Sequence, residues 1–203
     1  MYRVYGDLLS GNCYKIKLLL EFLAVEHEWQ HVDILAKETH SEEFLAKNAN
    51  GKIPLLQINE QEFLAESNAI LNYLADGTDW LPGSRLARAR VLQWQFFEQY
   101  SHEPYIAVAR YINKYLGLPP DRLNEYQSKQ AGGHKALQVM EKQLQETDFL
   151  IGSQPTIADI SLYGYTHVAH EGGFELAEYP AVHNWLAQFA EIPGYISMTA
   201  ESN

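Results

Sequence analysis

An α/β unit followed by an all-helical half is the fold class this sequence predicts, and three observations carry it. Short apolar runs alternate with helical patterns through the first part of the chain. A turn-rich stretch, Gly77-Thr78-Asp79-Trp80-Leu81-Pro82-Gly83, then interrupts it. Beyond Ser84 the pattern is helical to the end, with stops at Gly117-Leu118-Pro119-Pro120, Gly152-Ser153-Gln154-Pro155, Gly172-Gly173 and Ile192-Pro193-Gly194. The expected division is a domain over 1–77, a linker over 78–84 and a helical domain over 85–203.

Within the first part, Arg3–Tyr5 reads as a strand, and Ser10-Gly11-Asn12 is a natural turn and cap before the apolar helix Cys13–Leu23. Glu28–Asp33 is a second strand and Ser41–Lys47 a short helix. The run Leu55–Ile58 is a third strand, opened by Ile53-Pro54. Proline lacks an N–H and holds the residue before it out of the helical region, so the strand begins at a sharp turn, cis or trans. Glu62–Leu64 supplies the fourth strand, and Ser67 is a good N-cap for the helix Asn68–Asp76. The order β-α-β-α-β-β-α, with helices on a small mixed sheet, is the thioredoxin-like arrangement. In the helical half, Trp94 to Arg110 forms a long aromatic helix that Pro104 should kink. Thr156-Ile157-Ala158-Asp159 is a capping pattern before the apolar run Ile160–Val168, so Thr156 and Asp159 should hold a buried helix start.

Composition excludes several classes. The chain has 203 residues, 46% of them hydrophobic, ample for a buried core. No stretch approaches the roughly 20 consecutive apolar residues of a membrane span. Met1-Tyr2-Arg3-Val4-Tyr5 goes straight into a strand-like pattern without a signal peptide, so the expected location is the cytoplasm. A formal charge of −11 argues against nucleic acid and against an anionic membrane as partners. The single cysteine, Cys13, excludes an internal disulfide and a C-x-x-C pair. The eight histidines show no ligand spacing apart from His167 and His170 at i, i+3, and no metal is expected.

One constellation points to a ligand. A turn at Ile53 can leave its N–H and C=O unpaired, so an extended peptide could lie beside it as an added strand. The helix start at Ser67, with its unpaired N–H groups and dipole, makes a carboxylate site, and Glu66 beside it suits an ammonium. Glutathione is a peptide that carries all three features. Here the chain resembles the soluble glutathione transferases, as a bacterial-like member. The residues that carry the resemblance are Ser10-Gly11-Asn12-Cys13-Tyr14-Lys15, Gly51-Lys52-Ile53-Pro54-Leu55-Leu56, Glu66-Ser67 and Thr156-Ile157-Ala158-Asp159, in order along nearly the whole length.

The resemblance implies a transferase that activates the glutathione thiol as a thiolate for attack on a small, partly apolar electrophile, with glutathione as co-substrate. Glutathione would bind at Lys37, Lys52, Ile53, Pro54, Glu66 and Ser67, the lysines offsetting the acidic field of the chain. Ser10 is the first choice as donor to the sulfur, by its distance from the helix. Asn12 through its amide, Cys13 as a mixed-disulfide cysteine and Tyr5 at the end of the first strand are the alternatives. His102, Tyr105 and Ala109, spaced three and four apart, share a helical face that would line the second-substrate pocket. A homodimer is expected, formed by the surface around Asn68, Leu71 and Asn72 and the basic start of the next helix, Arg85, Arg88 and Arg90. The competing classes are a catalytically silent transferase-like binding or interaction protein and a glutathione-dependent peroxidase or disulfide reductase.

Overall fold

The structure, a computed structural model, describes residues 1–200. It divides into two compact units: Met1–Asp76 joined by the terminal segment that starts at Pro193, and Gly77–Ile192. The sequence reading assigns that terminal segment to the helical half. In the structure it returns to the first unit, where Ile196 O accepts from Tyr14 Oη at 2.7 Å and Met198 O from Lys17 Nζ at 3.3 Å.

The first unit is a four-stranded sheet in the order β2-β1-β3-β4, with β1 at Tyr2–Gly6, β2 at His27–His31, β3 at Leu55–Gln57 and β4 at Phe63–Ala65. β1 runs parallel to β2 and antiparallel to β3, and β3 antiparallel to β4. Val4 faces Trp29 on one side and Leu56 on the other. The central strands are apolar at successive positions because they are covered on both faces: Val4, Tyr5, Leu55 and Leu56 are all buried. Three helices belong to this unit, α1 (Gly11–Phe22), α2 (Glu42–Lys47) and α3 (Ser67–Ala75), and α1 packs against α3. This is the thioredoxin-like sheet with its helices, as the element order implies. Leu71, expected on an outer surface of α3, is instead fully buried with Ile70, and Leu74 beside them is buried with 8% exposure, because the apolar stripe of an amphipathic helix faces the core.

The second unit is helical throughout: α4 (Arg85–Phe97), α5 (Glu103–Arg110), α6 (Leu123–Leu144), α7 (Ile157–Thr166) and α8 (Pro180–Ala190). The kink expected at Pro104 takes the form of a π-helical turn, Glu98–His102, just ahead of it. Proline has no N–H for the carbonyl four residues earlier, and the wider turn accommodates the missing bond. Among the described residues no helix is long and apolar enough to cross a membrane.

α7 is the buried centre of this unit, every residue from Ile157 to Thr166 being buried. Its start is held as the capping pattern implies. Thr156 Oγ1 accepts from Ala158 N at 3.2 Å, and Asp159 Oδ2 accepts from Thr156 N at 2.9 Å. The other Asp159 oxygen accepts from Leu150 N at 2.9 Å and from Trp185 Nε1 at 3.1 Å, so one carboxylate ties α7 to the preceding loop and to α8. The substitution Asp159→Asn puts an NH2 among donors and should cost about 2 kcal/mol of stability in urea unfolding. Burial pushes the Asp159 carboxyl up to about 6, while its donors pull it down. A folded value above the unfolded one means that the stabilising contribution is complete below about pH 4 and is lost as pH rises through about 6. The stability gap between the wild type and Asp159→Asn should therefore narrow from pH 4 to pH 7, and a constant gap would refute the assignment.

Candidate functional site

The site is built where β1 feeds α1. After Gly6 the chain turns: Ser10 N donates to Asp7 O at 3.0 Å and Leu9 N to Asp7 Oδ1 at 2.9 Å. Ser10 is the N-cap of α1, half-buried, in extended conformation, and its Oγ accepts from Cys13 N at 3.4 Å. Its hydroxyl hydrogen therefore points elsewhere than at that N–H. Two residues on, the half-buried Asn12 places its Oδ1 between two donors, Lys15 Nζ at 2.7 Å and Ser67 Oγ at 3.2 Å. The second of these bonds joins the first turn of α1 to the first turn of α3.

Ser67 is thus not the cap expected of it. The N-cap of α3 is Glu66, in the left-handed half of backbone space at φ +69°, and its side chain makes no cap bond. A non-glycine residue in that conformation is uncommon and costs of the order of 1–3 kcal/mol, a cost that such residues tend to carry at functional sites. Glu66 is exposed, and its carboxylate accepts from Asn50 Nδ2 at 3.5 Å. A helix start whose N-cap residue makes no side-chain cap, with an exposed acid beside it, keeps the features of a carboxylate and ammonium site.

The loop before β3 is organised by Asn48, which the sequence reading did not single out. Its Nδ2 donates to Lys52 O at 2.8 Å and its Oδ1 accepts from Asn50 N at 3.1 Å. Gly51 holds φ +61°, and a Cβ there would stand 3.1 Å from Thr39 O, so the turn needs glycine. The pattern Asn-x-Asn-Gly was the signal available for this turn. The Ile53-Pro54 peptide bond is cis. Pairing along β3 begins at Leu55, so Ile53 lies outside the sheet's hydrogen-bond ladder. Pro54 is buried, Ile53 half-buried and Lys52 exposed. Lys37 stands in an exposed left-handed turn at φ +60°, its N–H donating to Ile34 O at 3.2 Å.

Two of the alternative donors are in the core. Tyr5 packs with Val32, Phe44 and Leu55, its hydroxyl donates to Gln57 Oε1 at 3.0 Å, and Lys47 Nζ lies over its ring at 4.9 Å. Cys13 has no exposed surface, and burial pushes its thiol up to about 12. A Cβ on Gly6 would come within 2.9 Å of Cys13 Sγ and 3.0 Å of the Trp29 ring, so the thiol fills a tightly packed space. At neutral pH this cysteine is protonated and shielded, the reverse of an activated nucleophile.

In the helical unit, His102 and Ala109 also have no exposed surface. His102 Nε2 lies 2.9 Å from Thr166 Oγ1, whose hydrogen goes to Leu162 O at 2.7 Å, so the imidazole is the donor. Tyr105 is half-buried, with its ring against Gly132 of α6.

Two family models match the chain: the N-terminal domain of glutathione S-transferase over residues 2–76 and its C-terminal domain over 123–188. A glutathione S-transferase from Pseudomonas fluorescens Pf-5 superposes with a TM-score of 0.96 at 57% identity, covering 98% of this chain and 99% of that one. A family member from the same organism, solved with two glutathione molecules bound, has a TM-score of 0.83 at 25% identity, covering 95% of this chain and 89% of its own. A disulfide-bond oxidoreductase of Escherichia coli, YfcG, is 30% identical over 192 residues, 91% of this chain and 88% of that protein.

The burial of Cys13 has a direct readout. In the folded protein at about pH 8 its thiol should resist iodoacetamide and become alkylated only as urea unfolds the chain, followed by intact mass. Rapid alkylation of the native protein would contradict this packing.

Proposed function

The chain belongs to the glutathione S-transferase family, and from that premise we propose that it binds reduced glutathione and activates its thiol for attack on a small electrophile. The Ser67–Asn12 hydrogen bond is the observation that carries this reading, because it keeps two helix N-termini together at one place. The γ-glutamyl carboxylate goes to the start of α3 and its ammonium to Glu66. The peptide backbone of glutathione pairs with Ile53, outside the ladder of β3, and Lys52 and Lys37 offset the negative charge of the tripeptide. The sulfur then reaches the first turn of α1.

A free thiol near pKa 8.5 is mostly protonated at neutral pH. A hydroxyl donated by Ser10, with the N-terminal dipole of α1, favours the thiolate and lets the proton leave to solvent. The sulfur lone pair forms the new C–S bond, and the displaced electron pair leaves with the departing group or, in addition to a polarised double bond, moves to the neighbouring carbon, which takes a proton from solvent. Of the three residues expected to line a second-substrate pocket, His102 and Ala109 have no exposed surface and Tyr105 is half-buried. A second reading has its own support: the relative YfcG is named a disulfide-bond oxidoreductase. In that case the same thiolate attacks a disulfide sulfur and expels a thiolate, and a second glutathione resolves the mixed disulfide. The buried Cys13 is not needed in either course.

Homodimerisation is also part of the proposal. Leu92, Phe96 and Tyr100 follow one another at helical spacing along α4 and its π turn, with Phe96 61% and Tyr100 74% exposed. An apolar stripe of that kind favours burial against a partner.

Binding to a glutathione-affinity resin, followed by turnover of 1-chloro-2,4-dinitrobenzene against 2-hydroxyethyl disulfide, tests the function and separates the two reactions. Glu66→Ala with Ser67→Ala should raise the KM for glutathione on the order of tenfold or more with little change in kcat. Ser10→Ala should lower kcat at neutral pH on the order of ten- to a hundredfold, with a higher titration midpoint for the bound thiol. Unaltered glutathione affinity in the double variant would remove the carboxylate site from this reading. For the dimer, sedimentation velocity should give twice the 23.2 kDa chain mass, and Phe96→Asp should yield the monomer. A monomeric wild type at micromolar concentration would end that part of the proposal.

A further inference from the structure

We propose that Asn48 is a positioning residue for glutathione, acting through the Lys52–Ile53 peptide that it orients; this rests on the glutathione reading above. Asn48 ends α2 and is buried. Its N–H donates to Phe44 O at 2.9 Å, and its C=O accepts from Gly51 N at 2.9 Å. Its side chain closes the turn twice more: Oδ1 accepts from Asn50 N at 3.1 Å, and Nδ2 donates to Lys52 O at 2.8 Å. The last of these bonds fixes a direction as well as a distance. The Lys52–Ile53 peptide is trans, and in a planar trans peptide the C=O and the N–H point opposite ways. With Lys52 O turned toward Asn48, Ile53 N–H is turned away from it, and among the described residues no group accepts from that N–H.

The amide of Asn48 is selective for this orientation. Rotating the peptide by a half-turn would bring Ile53 N–H against the Nδ2 group, donor against donor, and leave Lys52 O facing the other way. An extended peptide beside Ile53 needs the N–H turned outward, because its own carbonyl accepts there. The same turn serves the amine end of the ligand. Asn50, held through its N–H by Asn48, reaches Glu66 Oε1 with its Nδ2 at 3.5 Å. That contact steadies the exposed acid to which the ammonium is assigned. Asn48 therefore presents a donor to the backbone of glutathione and helps to place an acceptor for its amine, acting on both through other residues.

The test compares Asn48→Ala with Asn48→Asp, reading the glutathione KM and, by NMR of isotope-labelled protein, exchange of the Ile53 amide proton with and without glutathione. In the unaltered protein, glutathione should slow that exchange about tenfold or more. Asn48→Ala frees the peptide and should raise the KM on the order of tenfold, with kcat within about threefold of the wild type. Asn48→Asp keeps an acceptor for Asn50 N, but its carboxylate repels Lys52 O and draws Ile53 N–H inward. It should raise the KM further than alanine does and abolish the protection of Ile53 even at saturating glutathione. A merely structural asparagine gives the opposite order: aspartate, which retains the Asn50 bond, is the milder change, the melting temperature falls, and glutathione still protects Ile53. That result overturns the proposal. A carboxylate that only repels the anionic tripeptide raises the KM but leaves Ile53 protected at saturation, which overturns it equally. If Asn48→Ala does not fold, Asn48→Ser is measured in its place, with the same direction expected. Calorimetry of glutathione with the unaltered protein is run first. Absence of binding overturns the glutathione reading and this proposal with it, whereas binding that leaves the Ile53 amide of the unaltered protein unprotected overturns the Asn48 assignment and leaves glutathione binding standing.

Discussion

The burial of α1 on all its sides is the constraint on which the first unit depends. From Cys13 through Leu20 no side chain is more than 1% exposed. A helix enclosed in this way has no freedom to slide, because every neighbour is in contact with it at close-packed density. Its first turn, where the half-buried Asn12 reaches the surface, is consequently held in place by the enclosed length behind it. Two of the enclosed residues are lysines, and each must find acceptors inside the protein. Lys15 finds Asn12, at the site. Lys17 finds the carbonyls of Met198 and Ala200, and desolvation lowers its pKa. The terminal segment thus serves as the polar partner that the burial of α1 demands, which is why it lies with the first unit rather than continuing the second.

The helical unit solves the same problem with different groups. Asp159 sits among backbone and indole donors at the start of α7, and His102 donates to Thr166 at the other end of that helix. Arg110, 2% exposed, bonds Glu171 at 2.6 Å, and Lys114 approaches the other oxygen of that carboxylate at 3.0 Å. These buried polar contacts specify which helix faces which neighbour more sharply than the apolar contacts around them, since a mispaired charge in the interior is costly. His102 is the instructive case. Its spacing with Tyr105 and Ala109 is the spacing of a pocket-lining face, and equally that of a face turned into the bundle. The imidazole is used as a core donor.

Much of the fold was legible because periodicity and turn chemistry are local. The strands, the helix after Ser10, the turn at Ile53-Pro54 and the capping pair Thr156 and Asp159 each leave a signature within a few residues, and the chain obeys them. The candidate site was legible as a set of residue types, a hydroxyl at one helix start and an acid beside another. The partners were not. Asn12 to Ser67 spans most of the first unit in sequence, and Lys15 reads as one more charge on an amphipathic helix until the helix is seen to be enclosed. Ser67 was read as a cap from its residue type, but with Glu66 taking the cap position at φ +69° its hydroxyl was left for Asn12.

By itself, then, the sequence determined the elements, their order and the chemical types assembled at the two helix starts, since those depend on neighbours along the chain. Only the tertiary structure decided that Cys13 and Tyr5 are core, that Lys15 and Lys17 are enclosed, and that the terminal segment returns to α1. Burial is a property of what packs around a residue, and hydrogen-bond partners distant in sequence are chosen only once that packing has formed.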